Sequence, residues 1–141
     1  MENDIWINLP SKDLAKSKAF FLKLGFRINE RHSSPGMVSL IVGKPNLIVN
    51  LFPTTVFEGF SQHPATDTAS STEVLFSFGA SSPAEVDAMA NTVAAAGGVL
   101  FGKPGGKDGW MYGFGFADVD GHRWNMVYMD VSKIPRPRVE S

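Results

Sequence analysis

The 141-residue sequence contains no cysteine. That absence removes disulfides, thiolate nucleophiles and thiolate-ligated metal sites together. Charge is sparse and balanced, with 19% of residues charged and a formal net charge of -1. Such a surface carries no field of the kind that gathers nucleic acid or anionic membranes, so neither is expected as a partner. No stretch approaches the roughly 18 consecutive apolar residues of a membrane span. Glu2 and Asp4 lead straight into a strand-like run, without the basic and apolar pattern of a secretory leader. A soluble cytoplasmic protein is expected, with a small neutral or mildly charged organic molecule as the fitting ligand.

What is present is enough apolar material, 43% of residues, for a single domain over 1–141 with a real core. Its pattern changes period along the chain. Residues 5–9 alternate, with Ile5, Ile7 and Leu9 opposite Trp6 and Asn8, as in a half-buried strand. A helix follows, capped by Ser11 or Asp13, with Leu14, Phe21 and Leu24 at helical spacing and Gly25 at its end. Strands are expected at 26–31, 37–42 and 47–52, separated by Ser34-Pro35-Gly36 and Gly43-Lys44-Pro45-Asn46.

Residues 54–71 form a Thr- and Ser-rich connector, where Val56, Phe57 and Phe60 predict one or two helical turns. Alternation resumes at 72–78, with Val74, Phe76 and Phe78 opposite Glu73, Leu75 and Ser77. Ser82-Pro83-Ala84-Glu85 combines a capping box with proline at the first helical position. Val86, Met89, Ala90 and Val93 make the apolar stripe of that helix, and Gly97-Gly98 ends it. Strands at 99–101, 110–117 and 122–129 complete a second β-α-β-β-β run, so the units span 4–53 and 72–129. The proline- and arginine-containing stretch 130–141 is expected to be a tail.

The opening Ile7-Asn8-Leu9-Pro10-Ser11-Lys12-Asp13-Leu14 through Leu24-Gly25-Phe26, and the close Phe116-Ala117-Asp118-Val119-Asp120-Gly121-His122-Arg123-Trp124-Asn125, resemble the vicinal oxygen chelate superfamily of glyoxalases, bleomycin-resistance proteins and extradiol dioxygenases. The resemblance implies an α+β fold, two βαβββ units with pseudo-two-fold symmetry that curl into one cup, and a homodimer. Metal-using members carry ligands at four inward positions, which fall here on Trp6, Asn50, Glu73 and Asn125. Only Glu73 among them is a strong donor, because indole nitrogen cannot coordinate and amide oxygens are weak and neutral. No resident metal or other cofactor is therefore expected. His32, His63 and His122 match no ligand position and are expected at the surface.

The cup should be lined by Trp6, Asn8, Asn50, Phe52, Tyr112, Arg123 and Asn125 around Glu73. A desolvated Glu73 could serve as acid/base or meet a cationic ligand; it could equally hydrogen-bond Asn50 or Asn125, or pair with Arg123, as a structural remnant. Trp110, Tyr112, Phe114 and Phe116 form an aromatic stripe that suits the core or a dimer contact, with Tyr112 best placed to offer a polar tip. Gly105-Gly106-Lys107-Asp108-Gly109 lacks the spacing and following helix of a phosphate loop and is expected as a hairpin rim. Two function classes stay open: a metal-independent small-molecule binder, and a glyoxalase-like lyase, isomerase or dioxygenase-type enzyme that uses Glu73 as acid/base or metal ligand. Beside these two classes stands a blander reading, a domain kept for interaction.

Overall fold

The computed structural model describes residues 3–107 and 109–133. The first unit consists of β1 (Trp6–Ser11), α1 (Leu14–Lys23), β2 (Arg27–Ile28), β3 (Val38–Val42) and β4 (Leu47–Pro53). The connector holds α2 (Thr54–Ser61), and the second unit follows as β5 (Leu75–Gly79), α3 (Pro83–Ala96), β6 (Val99–Lys107), β7 (Met111–Ala117) and β8 (Arg123–Met129). Two mixed four-stranded sheets result, ordered β1-β4-β3-β2 and β5-β8-β7-β6. The fold is the α+β duplication that the order of elements implies. The stretch 134–141 of the expected tail, and Asp108, lie outside the described residues.

Local chemistry sets the helix ends. Asp13 accepts the Lys16 N–H at 3.0 Å to start α1, and Ser82 accepts the Glu85 N–H at 3.1 Å to start α3. Gly25 and Gly97, at φ 88° and 100°, take the left-handed turn that lets each chain leave its helix. Each helix then covers one face of its sheet. Phe20 and Phe21 of α1, and Val86, Ala90 and Val93 of α3, join Leu40, Val49, Leu51, Phe116 and Trp124 in one buried core.

That core is shared by the two units. Trp124 of β8 meets Phe21 and Phe26 of the first unit at ring distances of 5.5 and 5.6 Å. The β7–β8 turn adds a polar clasp: Asp120 accepts the Lys12 N–H at 2.8 Å and the Ser17 hydroxyl at 2.5 Å. Asp118 accepts the N–H groups of Asp120 and His122 and the Trp124 indole N–H at 3.0 Å. Burial pushes the Asp118 carboxyl above its ordinary value, while His122 and the indole hydrogen bond pull the other way.

Three boundaries differ from the sequence pattern. The outer strand β2 is only Arg27–Ile28, whereas β6 extends over Val99–Lys107 and takes in Gly105, Gly106 and Lys107 of the stretch expected as a rim. β6 and β7 pair along that stretch despite register shifts around Gly102 and Gly105. The β5 strand begins at Leu75 because its pairing with β8 starts at Leu75 opposite Arg123, so residues 72–74 precede the sheet.

Candidate functional site

On the first sheet, Leu9, Leu40, Val49 and Leu51 turn toward the helix, which leaves Trp6, Asn8, Ser39, Ile48 and Asn50 on the other face. Register then assembles a polar row across the middle of that face. Asn50 on β4 lies directly opposite Asn8 on β1 and Ser39 on β3. Asn50 is 8% exposed and Ser39 is 1% exposed. The Asn50 Nδ2 group donates to Asn8 Oδ1 at 3.4 Å, which orients the amide and leaves its Oδ1 without a partner. Ser39 Oγ has no partner either. Buried polar atoms are almost always paired, and leaving one unpaired costs about 1–3 kcal/mol, so two neighbouring orphans mark a place where something else belongs.

Both residues line a cleft of about 700 Å³, walled by Trp6, Ile5, Met37 and Ile48, with Asn29 and His32 at its side, while the two orphan atoms themselves are covered. Trp6 is 56% exposed, so its indole face is available at the mouth. Among the described residues, Asp4 is the one lining residue with a full charge.

Glu73 and Arg123 lie elsewhere. They line a smaller cleft of about 210 Å³ between the units, together with Asn8, His122 and the apolar side chains of Ile7, Leu9, Phe57 and Phe76. Glu73 precedes β5, is exposed to solvent, and shares no cleft with Trp6 and Asn50. The burial expected around it is therefore absent, because no pleat directs a residue outside the sheet. Val74, expected on the face opposite Glu73 with Phe76 and Phe78, is exposed for the same reason.

The concave face of the second sheet is arranged differently. Asn125 on β8 lies opposite Ser77 on β5 and Gly115 on β7, the counterparts by position of Asn50, Asn8 and Ser39. Asn125 Oδ1 is again buried without a partner. Here, however, Phe101 lies across Gly115, so closely that a Cβ on that glycine would collide with the ring. The Arg123 guanidinium stacks 4.4 Å above the same ring. Arg123 thus meets an aromatic face, and among the described residues no ion pair joins it to Glu73.

Other expected contributors turn away. Phe52 packs edge-on against Phe60 of α2 at 5.1 Å and lines neither of these two clefts. Tyr112 shares the face of Phe114 and Phe116 that looks toward α3, and its hydroxyl donates to Asp87 at 2.6 Å. That hydrogen bond holds its phenol proton more tightly than usual. His122 is half-buried rather than a surface residue, and its Nε2–H donates to the Pro10 carbonyl at 2.7 Å. The sequence pattern missed Ser39. Its signal was a lone hydroxyl inside the apolar run Val38-Ser39-Leu40-Ile41-Val42, a position that only strand pairing places beside Asn50.

The four family ligand positions do not make a metal site in this chain. Trp6 and Asn50 share one cleft, the lone carboxylate of Glu73 lines another, and Asn125 belongs to the other sheet. Among the described residues no cluster of three His, Cys, Asp or Glu side chains could hold an ion. The donor set does not fit.

A duplicated βαβββ fold with polar residues at the middle of each concave face defines the class. The family described as bleomycin resistance protein-like N-terminal matches residues 5–43. The solved hypothetical protein SA1046 from S. aureus is 34% identical, with a TM-score of 0.80 over 91% of this chain and 94% of that one. A glyoxalase/bleomycin resistance protein/dioxygenase family enzyme from Burkholderia phytofirmans PsJN shares the fold at 20% identity and TM-score 0.75, over 88% of this chain and 96% of that one. A fosfomycin resistance protein, FosX from Listeria monocytogenes, complexed with Mn(II) and 1S,2S-dihydroxypropylphosphonic acid, shares it at 18% identity and TM-score 0.64, over 89% of each chain. This chain belongs to the vicinal oxygen chelate superfamily, the group of glyoxalases, bleomycin-resistance proteins and dioxygenases. No curated protein matches the sequence. No helix among the described residues is long and apolar enough to cross a membrane.

Proposed function

We propose that the protein binds a small organic molecule, without a resident metal, in the cleft on the concave face of its first sheet. The observation that carries this reading is the pair of buried, unpartnered atoms, Ser39 Oγ and Asn50 Oδ1, on two residues that line a cleft walled by Trp6. A ligand that hydrogen-bonds both removes their desolvation cost, and an exposed indole face adds contact area at low entropic cost. Asn8 belongs to the site as the residue that orients Asn50. Glu73, Arg123 and Asn125 flank it from the junction cleft and the second sheet. A homodimer is part of the proposal, supported by the exposed apolar side chains Leu75, Phe101 and Met129 on the second sheet.

Native mass spectrometry of gently purified protein, with compounds then extracted and identified, tests the reading. A non-covalent adduct that disappears in Trp6→Ala and Ser39→Leu variants of unchanged fold supports it. An adduct retained by both variants overturns it. Elemental analysis tests the metal-free part: about one transition metal per chain, lost on Glu73→Gln, restores an enzyme that uses that carboxylate. Light scattering at micromolar concentration tests the dimer, which a monomeric mass refutes.

A further inference from the structure

The floor of this cleft specifies more than the presence of a ligand; the ligand class it selects rests on the cleft being the binding site. Asn50 Oδ1 can only accept a hydrogen bond, and because its own Nδ2 donates to Asn8, the amide turns its acceptor side away from Asn8. Ser39 Oγ can donate or accept, and it stands directly across the strand pair from Asn50. Residues opposite each other on antiparallel strands are about 4.5–5.5 Å apart at Cα. One polar group of a ligand can therefore reach both, provided that it donates on one side and accepts on the other.

The rest of the lining narrows the class. Among the described residues no lysine or arginine lines the cleft, and no helix N-terminus opens into it. Phosphate, phosphonate and carboxylate groups would lose their hydration there without the cationic fork or oriented N–H groups that normally replace it. Trp6, Met37 and Ile48 offer an apolar wall with one exposed aromatic face.

We propose that the ligand is a neutral, flat organic molecule with a cis-amide edge, as in a lactam or ring amide. Its N–H donates to Asn50 Oδ1, its carbonyl accepts from the Ser39 hydroxyl, and its ring lies against Trp6. A neutral molecule of this kind is a different class from the phosphonic acid bound by the FosX neighbour.

Three bicyclic probes of matched size separate the terms: carbostyril, which carries the lactam edge; quinoline, which lacks it; and quinaldate, which carries a carboxylate. Each is titrated into the full chain while two-dimensional NMR follows the Trp6 indole N–H, the Asn50 side-chain amide and the Ser39 backbone amide. Carbostyril should shift all three signals and bind about tenfold or more tighter than either other probe, since a site built to hydrogen-bond a group rejects analogues that lack it. Ser39→Ala should remove most of that preference, and Trp6→Ala should weaken carbostyril and quinoline alike. Asn50→Leu is used only if its thermal unfolding is cooperative; Ser39→Ala suffices without it. If all three probes shift the Trp6 signal with equal affinity, or if quinaldate binds tightest, the amide assignment is overturned while the cleft stands. If no probe moves any of the three signals, both the assignment and the cleft as binding site fall.

Discussion

The two βαβββ units share one backbone plan and treat its concave face in opposite ways. Both place an asparagine with a buried, unpartnered Oδ1 at the centre, Asn50 in one and Asn125 in the other. Across the strand pair the first unit has Ser39 and the second has Gly115. With no side chain at Gly115, Phe101 from the long outer strand β6 folds over the sheet and takes Arg123 as a cap. In the first unit the outer strand β2 is two residues long, and the face stays open as a cleft of about 700 Å³. Duplication thus conserves the scaffold, while one residue on a central strand and the length of one edge strand decide whether a face is filled by the chain itself or left for a ligand.

The largest expected effect tests how far the halves can be told apart at all. Trp124 is 1% exposed and touches both units, so Trp124→Ala should cost about 3–5 kcal/mol and still leave one cooperative unfolding transition. Two separate transitions by calorimetry would show that the units fold independently. Gly115→Ser gives the second unit the residue of the first, and its Cβ collides with the Phe101 ring. A loss of about 1–3 kcal/mol is expected, with the Phe101 ring signals displaced in the NMR spectrum; an unchanged spectrum would mean that Phe101 does not fill this face.

A smaller effect concerns the β7–β8 turn. Burial raises the Asp118 carboxyl above its ordinary value of 3.8. The stability it contributes is fully present below that value and is lost as pH rises through the raised value in the folded state. In denaturant unfolding across this acidic window, Asp118→Asn should lose less stability with rising pH than the parent chain. A greater loss with rising pH in Asp118→Asn would refute the direction. The smallest effect is at the open face. Ser39→Ala deletes an unpartnered hydroxyl, so it should leave stability unchanged or raise it by up to about 1 kcal/mol in the same unfolding experiment. A clear loss of stability would mean that Ser39 serves the fold rather than a ligand.

The residue pattern carried most of the fold because its signals are local. Asp13 and Ser82 cap helices where their spacing to the following residues says they should. Alternation at Trp6, Ile7, Asn8 and Leu9 correctly separated the helix-facing side of β1 from its open side. Alternation failed at Glu73, where a period of two ran on for three residues before the point at which β8 begins to pair. It also grouped Tyr112 with residues that could reach a ligand, although that face of β7 belongs to α3.

The order of the elements, their caps, the core-facing side of most strands and the superfamily of the chain were therefore all written in the residue order. Periodicity and capping are properties of neighbours along the chain, and they survive without knowledge of the rest. Which polar residues meet depended instead on the folded arrangement. Ser39 stands 11 positions from Asn50 and is brought against it by register. Phe101 covers Gly115 because β6 and β7 pair through an irregular register, and Glu73 is sent to the junction because the second sheet starts after it. These are contacts between distant segments, fixed by strand pairing and by the space that a missing side chain leaves, and no local pattern records them.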